Sequence, residues 1–185
     1  MTSTKTLLER NARFAASFDD AELPIIPKLR SVILACTDAR VDPAHIFGLE
    51  LGDSVVMRNN GARLTPSMLD EVITLSYLVD KLEGGSHSPF EFVLVQHTKC
   101  GAERFADPEF RRMLLEQTGV DVSVSAIEDH HESLREDVAR LRDDPRVPGH
   151  ITVAALLYDV DTGTVEEVVA PVAVDELRAT RQPVM

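Results

Sequence analysis

The feature that most constrains the fold is the alternation of short apolar runs with helical stretches along the chain. Three runs have the aliphatic, β-type composition of strands: SVILA at 31–35, DSVVMRN at 53–59 and EFVLVQ at 91–96. The first is apolar, as expected for a parallel strand covered on both faces. Because helical patterns lie between the runs, the chain is predicted to form an α/β fold with a mostly parallel sheet.

Helices and a hairpin complete the predicted order of elements. Apolar spacing and capping residues predict helices over 2–16, 65–81 and 124–143, with shorter helical segments starting at Asp42-Pro43 and Asp107-Pro108. Two β-type runs, 151–160 and 164–172, are separated by Asp161-Thr162-Gly163, which is typical of a β-hairpin with glycine in its turn. The sheet is therefore expected to carry one antiparallel edge strand and to be flanked by helices.

Length and composition limit the class of protein. A chain of 185 residues with 44% hydrophobic residues suits one domain with one core. The net charge of −12 argues against nucleic acid or an anionic membrane as a partner. Neither a signal-peptide pattern nor a membrane-spanning run is evident, and two reduced thiols fit a cytoplasmic protein. We expect a single domain over 1–185, with an N-terminal helical arm over 1–28 and an α/β core over 29–175.

Metal-type ligands follow two of the predicted strands at their carboxyl ends. Cys36 follows the first strand, His97 and Cys100 follow the third, and the chain has no other cysteine. Ligand sites of parallel sheets lie outside the carboxyl ends of the strands, so these residues can converge. Two thiolates and an imidazole suit zinc, and three ligands leave a position for water, as in catalytic sites. A structural zinc site, or chance placement of these residues, is the alternative.

Two charged residues lie just beyond the first of these ligands. In an extended segment, Asp38 and Arg40 would lie on the same side as Cys36. A carboxylate there can accept a hydrogen bond from a metal-bound water, and an arginine can keep it ionised. Alternatively, Asp38 is itself the fourth ligand, or the two residues form an ordinary surface ion pair.

The remaining histidines have no ligand motif around them. We interpret each as solvated or packed: His45, His87, His130, His131 and His150. The zinc deaminases also use one histidine and two cysteines, but they need a C-x-x-C motif that the chain lacks.

Three motifs, in this order and spacing, resemble those of the β-class carbonic anhydrases. They are C-x-D-x-R at 36–40, R-N-x-G at 58–61 and H-x-x-C-G at 97–101. The motifs span roughly residues 30–105, and the order of strands and helices extends the resemblance over most of the chain. Three motifs together are much more specific than any one of them.

The resemblance implies a particular site and reaction. It implies zinc ligands Cys36, His97 and Cys100, a catalytic pair Asp38 and Arg40, and substrate-pocket residues Gly61 and Gly101. The expected reaction is the reversible hydration of carbon dioxide to bicarbonate by attack of zinc-bound hydroxide. The family is built on dimers in which the N-terminal helix embraces the partner. Apolar spacing over 2–16 alone favours a helix packed on its own core, whereas the resemblance favours an arm laid on a partner subunit.

Departures from the family pattern leave the substrate open. Ala39 stands where serine is frequent, Gln96 stands where glycine is common, and the loop after Asn60 is bulkier. Relatives of this fold hydrolyse carbonyl sulfide or carbon disulfide with similar zinc machinery. A non-catalytic zinc-binding protein with the same fold is a further alternative. The absence of tryptophan argues against the Trp-containing version of the family's allosteric bicarbonate pocket.

Overall fold

The computed structural model describes residues 2–85 and 89–180. The strands are β1 (Ser31–Cys36), β2 (Val55–Asn59), β3 (Glu91–His97), β4 (Thr152–Tyr158) and β5 (Val165–Ala173). The α-helices are α1 (Ser3–Ala15), α2 (Pro43–Phe47), α3 (Pro66–Leu82), α4 (Pro108–Thr118), α5 (His130–Asp143) and α6 (Val174–Thr180). Short 3-10 helices cover Asn60–Ala62, Gly101–Ala106 and Ser123–Ser125.

The five strands form one mixed sheet in the order β2-β1-β3-β4-β5. All neighbouring pairs are parallel except β4 and β5, which form an antiparallel hairpin at the edge. The predicted α/β class, with a mostly parallel sheet and an antiparallel edge strand, is confirmed. Because β1 and β3 are parallel neighbours, their carboxyl ends meet at the same edge of the sheet, where Ala35 pairs with Val95.

Apolar side chains cover both faces of the central strands. On one face the inward residues of α5 pack against the sheet; large buried members of this cluster include Leu34, Phe92, Leu94, Leu134 and Leu141. On the other face a smaller cluster contains Ile33, Ala35 and Val95, against which Phe47 and Leu49 pack. Strand β1 is buried at all six positions, as its composition predicts.

The helices differ from the prediction in two respects: the start of one helix and the presence of another. The predicted helix over 124–143 is wrong in its first part, because α5 begins only at His130. Asp129 is extended (φ −137°, ψ 131°), and its carboxylate accepts a hydrogen bond from the backbone N–H of Glu132, so it ends the preceding loop as an N-cap. Helix α6 was not predicted; it follows β5 directly and buries Val174.

Within the described part of the chain, no other element buries helix α1. It contains no buried residue, and Leu7, Leu8 and Phe14 are 62, 65 and 54% exposed. The interpretation that this helix packs on its own core is therefore wrong. In the described ranges, no helix combines the length and the apolar character needed to cross a bilayer.

Candidate metal centre

Three metal-type ligands converge at the carboxyl edge of the sheet. Cys36 is the last residue of β1, His97 is the last residue of β3, and Cys100 lies in the turn that follows. One ligand atom from each lies within 4.8 Å of the other two, and the two Sγ atoms are 3.8 Å apart. Lys99 has a left-handed backbone (φ 55°) in the turn between His97 and Cys100. All three side chains are buried.

The imidazole of His97 has one ring nitrogen available to a cation. Its Nδ1 lies 3.0 Å from the backbone oxygen of Thr98, which can only accept, so Nδ1 carries the proton. Nε2 is buried and has no hydrogen-bond partner within residues 2–85 and 89–180. A buried nitrogen lone pair without a partner is costly, and a metal ion would satisfy it. A backbone carbonyl that fixes the tautomer in this way is typical of metal-binding histidines.

The two sulfurs lie close enough to influence each other's ionisation. Backbone N–H groups donate to each of them: that of Asp38 to Cys36 at 3.5 Å, and that of Glu103 to Cys100. The hydrogen bond from the Cys100 thiol lowers the pKa of Cys36, and the same bond, together with burial, raises the pKa of Cys100. A second negative charge so close to the first requires a cation. Two sulfurs and one imidazole nitrogen within this distance fit zinc.

Asp38 and Arg40 form a forked ion pair beside the ligands. The guanidinium donates from Nε to Oδ1 at 3.0 Å and from Nη2 to Oδ2 at 2.7 Å. Hydrogen bonds from the side chain and backbone of Arg40 hold the pKa of Asp38 well below its usual range. Arg40 also donates to the backbone oxygen of Lys99 at 3.1 Å, which links the β1 loop to the turn that carries Cys100.

The loop after β1 is held by an arginine that spacing alone did not single out. Arg58 donates to the backbone oxygens of Cys36 at 2.9 Å, Asp38 at 2.7 Å and Val41 at 3.0 Å. The loop therefore has a fixed path from the first ligand past the ion pair. The sequence signal for this residue is its place at the start of the R-N-x-G motif.

A small cavity of about 270 Å³ adjoins the cluster at Cys36. It is lined by Cys36, Thr37, Asp38, Asn60, Gly61, Gly101, Ala102 and Phe105. Gly61 has φ 78°, and a Cβ there would lie 2.8 Å from the Cβ of Ala102. A Cβ on Gly101 would meet no neighbouring atom within 4 Å. Gly61 and Gly101, the pocket residues that the family resemblance implies, both line this cavity, but only Gly61 is required by backbone conformation and close packing.

Of the histidines without a motif, one lies next to the site. His130 contacts the side chains of Gln96 and Glu103, and sequence spacing gave no signal for this. The others lie elsewhere: His45 is exposed beside Asp42, His131 pairs with Glu166, and His150 lies 3.8 Å from Asp80. His87 lies outside the described residues.

Comparison with known proteins gives a consistent result. The carbonic anhydrase family model matches residues 31–147. Beta-carbonic anhydrase 1 of Mycobacterium tuberculosis is 32% identical over 170 residues, covering 91% of this chain and 99% of that protein. The crystal structure of a carbonic anhydrase from Streptococcus mutans superposes with a TM-score of 0.73 at 33% identity, covering 91% of this chain and 98% of that one.

A relative with another substrate also matches. A carbon disulfide hydrolase of Saccharolobus solfataricus is 27% identical over 157 residues, covering 70% of this chain and 72% of that protein. The family match spans more than half of the chain, and the likeness to the mycobacterial β-class enzyme extends over nearly its whole length. Together with the cysteine–histidine–cysteine cluster at the edge of the sheet, these matches establish that the chain belongs to the β-carbonic anhydrase family.

Proposed function

We propose that this protein is a zinc-dependent carbonic anhydrase that interconverts carbon dioxide and bicarbonate. The observation that carries the proposal is the convergence of Cys36, His97 and Cys100 beside the ion pair of Asp38 and Arg40. The relatives named as carbonic anhydrases support the same activity.

The three converging side chains would hold the zinc ion. When bound, zinc lowers the pKa of a coordinated water to about 7, the value known for carbonic anhydrases that hold zinc with three histidines, and so supplies a nucleophile near neutral pH. Two thiolate ligands compensate the double charge of zinc. They donate more charge than imidazoles, so we expect a higher pKa for that water in this protein.

Asp38 and Arg40 act on the attacking water. Because its pKa is lowered, Asp38 is ionised at neutral pH and can accept a hydrogen bond from the water without donating one. The forked contact with Arg40 fixes the orientation of the carboxylate. Both carboxylate oxygens of Asp38 already accept from Arg40. This contact supports a role for Asp38 as a hydrogen-bond acceptor for water over a role as a fourth metal ligand.

The cavity suits a small substrate with an electrophilic carbon. At about 270 Å³ it accommodates a linear triatomic molecule, and its polar lining includes Thr37 and Asn60, whose side chains share a hydrogen bond of 3.1 Å. The carbon disulfide hydrolase among the relatives supports a second candidate function, the hydrolysis of carbon disulfide or carbonyl sulfide at the same site. The cytoplasm is the proposed compartment for either activity.

The functional unit is proposed to be a homodimer or a higher homo-oligomer. Helix α1 leaves Leu7, Leu8 and Phe14 uncovered, and a second copy of the chain would bury them. Strand β2 lies at the edge of the sheet with Val56 exposed, so it offers unpaired backbone groups and some apolar surface for association. A structural neighbour described as tetrameric supports association within this fold.

The proposal is tested with one zinc-loaded preparation and three substrates. Metal content is measured first, and carbon dioxide hydration is then followed by stopped flow at pH 8.5, beside sulfide release from carbonyl sulfide and carbon disulfide. We expect about one zinc per chain, fast hydration of carbon dioxide, and no sulfide release from the other two substrates. Cys36→Ala, which removes a ligand, should lose both metal and activity. Sulfide release without hydration would favour the second candidate, and bound zinc without any turnover would indicate a non-catalytic protein.

A further inference from the structure

We propose that Glu103 and His130 form a positioning pair that holds the Cys100 turn in place and slows the release of the metal. This inference rests on the proposed zinc site but on no particular substrate. The key contact is at one carboxylate oxygen. Oε1 of Glu103 accepts a hydrogen bond from the backbone N–H of Cys100 at 2.8 Å and lies 3.0 Å from Nε2 of His130.

The Cys100 end of this arrangement is a reciprocal cap. Cys100 is the N-cap of the short 3-10 helix Gly101–Ala106; its sulfur accepts from the backbone N–H of Glu103, whose carboxylate in turn accepts from the backbone N–H of Cys100. Two reciprocal hydrogen bonds therefore join Cys100 and Glu103. Because the sulfur is both a cap and a metal ligand, the Glu103 carboxylate constrains the orientation in which that sulfur is presented.

The other end of the arrangement is anchored in the core. Nδ1 of His130 lies 2.9 Å from Oε1 of Gln96, and the hydroxyl of Ser133 donates to that same oxygen at 2.9 Å. Gln96 is fully buried and immediately precedes the ligand His97 on β3. The imidazole of His130 thus connects the Cys100 turn to the strand that carries the imidazole ligand.

This placement distinguishes His130 from the histidine next to it. The side chain of His130 is 15% exposed. One ring nitrogen contacts Glu103, close to Cys100, and the other contacts Gln96, next to His97. The side chain of His131 is 38% exposed, and its Nε2 lies 3.0 Å from the carboxylate of Glu166 on β5. The two residues share a helix turn and a residue type, so His131 is a matched control for His130.

The pair is expected to act on the metal and not on the reacting atoms. Neither Glu103 nor His130 lines the cavity that adjoins Cys36. Loss of residues that orient metal ligands through hydrogen bonds typically weakens metal binding roughly 10- to 100-fold. We therefore expect Glu103→Ala and His130→Ala to release zinc faster by about that factor, while the fold persists.

The experiment measures zinc transfer from the holoprotein to excess 4-(2-pyridylazo)resorcinol for the wild type and each variant. His131→Ala should release zinc within about twofold of the wild type. Because Glu103 and His130 act as one unit, the double alanine variant should be little faster than Glu103→Ala alone. Glu103→Gln should restore slow release, since its amide oxygen can still accept from both donors. The cobalt-substituted protein should show altered thiolate-to-metal bands in the two alanine variants and unaltered bands in His131→Ala.

Two results would overturn the inference. One is zinc release at the wild-type rate from both Glu103→Ala and His130→Ala. The other is an equal acceleration in His131→Ala, which would indicate general loosening of α5. Should an alanine variant fail to fold, His130→Asn replaces it, because asparagine can still reach Gln96 but not Glu103, and it should also release zinc faster. A wild-type protein that holds no zinc would instead refute the metal site itself, and carbon dioxide hydration plays no part in these measurements.

Discussion

Arg40 contacts both carboxylate oxygens of Asp38, at 3.0 and 2.7 Å, within one loop that directly follows the first metal-type ligand. The same guanidinium reaches the backbone of Lys99 in the turn before Cys100. The ion pair is thus tied to both segments that carry sulfur ligands. An isolated surface pair of this kind contributes little to stability, so its placement suggests a role in the reaction.

Asp38→Asn should retain zinc but lose activity. An asparagine amide keeps the size of the carboxylate but cannot be ionised, and its nitrogen donates where Asp38 accepts. We expect kcat/KM for carbon dioxide hydration to fall roughly 100-fold or more. Metal content and stopped-flow rates are measured on the same samples. Asp42→Asn, at an N-cap four residues away that asparagine also caps well, is the control. Full activity in Asp38→Asn would rule out the proposed role.

Gly61→Ala should destabilise the fold more than a glycine substitution in open space. The left-handed backbone at Gly61 disfavours any Cβ, and the added atom would lie 2.8 Å from Ala102 and 3.1 Å from Ile127. Backbone strain of about 1 kcal/mol and overpacking of about 1–3 kcal/mol together predict a loss of about 2–4 kcal/mol. Gly119, with φ 73° and no neighbour within 4 Å, should lose only about 1 kcal/mol as alanine. Urea unfolding of both variants checks the difference, and equal losses would contradict the packing argument.

The stability of the fold should be sensitive to the loss of one partner of the buried ion pair between Arg63 and Asp137. Asp137 is fully buried and lies 2.7 Å from Nε of Arg63, and it also accepts from the backbone N–H of Leu64 at 3.1 Å. Asp137→Ala leaves the arginine buried without this partner and should cost about 3–5 kcal/mol. Glu116→Ala, which removes the exposed partner of Arg112, should cost at most about 0.5 kcal/mol. Chemical unfolding of the two variants should therefore give clearly separate midpoints.

The N-cap of α5 predicts a pH-dependent contribution to stability. The backbone N–H of Glu132 donates to Asp129 and lowers its pKa, so this contribution is present above the unfolded pKa of about 3.9 and is lost as pH falls through the lower folded value. Asp129→Ala should lose about 1 kcal/mol at pH 7, and the difference from the wild type should shrink below about pH 4. Asp129→Asn should cap at every pH. A pH-independent deficit in the alanine variant would show that ionisation of Asp129 does not matter.

Charging the exposed face of α1 should dissociate the proposed oligomer. Leu8→Glu places a carboxylate on a surface that a second copy would bury, whereas Glu9→Gln alters a neighbouring polar position in the same helix. We expect light scattering after gel filtration to give a dimer or larger species for the wild type and Glu9→Gln, and a lower mass for Leu8→Glu. An unchanged mass for Leu8→Glu would argue against α1 as the interface.

Local sequence patterns were sufficient for the sheet and for the metal-type residues. The strand SVILA at 31–35 is buried on both faces, and a strand that avoids solvent on either side must be apolar at successive positions. Cys36 and His97 end neighbouring parallel strands, and they lie close together because a parallel sheet brings the carboxyl ends of its strands to one edge. The pattern failed at the start of α5, where the apolar residues before His130 lie in a short 3-10 helix and a loop, and the Asp129 cap defines the boundary.

The sequence by itself determined the fold class, the strands and the residue types of the site, because these depend on side-chain period and on chemistry within a few residues. Only the tertiary structure decided which distant groups lie together, such as His130 with Glu103 and Asp137 with Arg63. It also decided that α1 is left exposed. The physical reason is that these contacts join side chains far apart along the chain. Their distances depend on how the helices pack on the sheet, which no local period encodes.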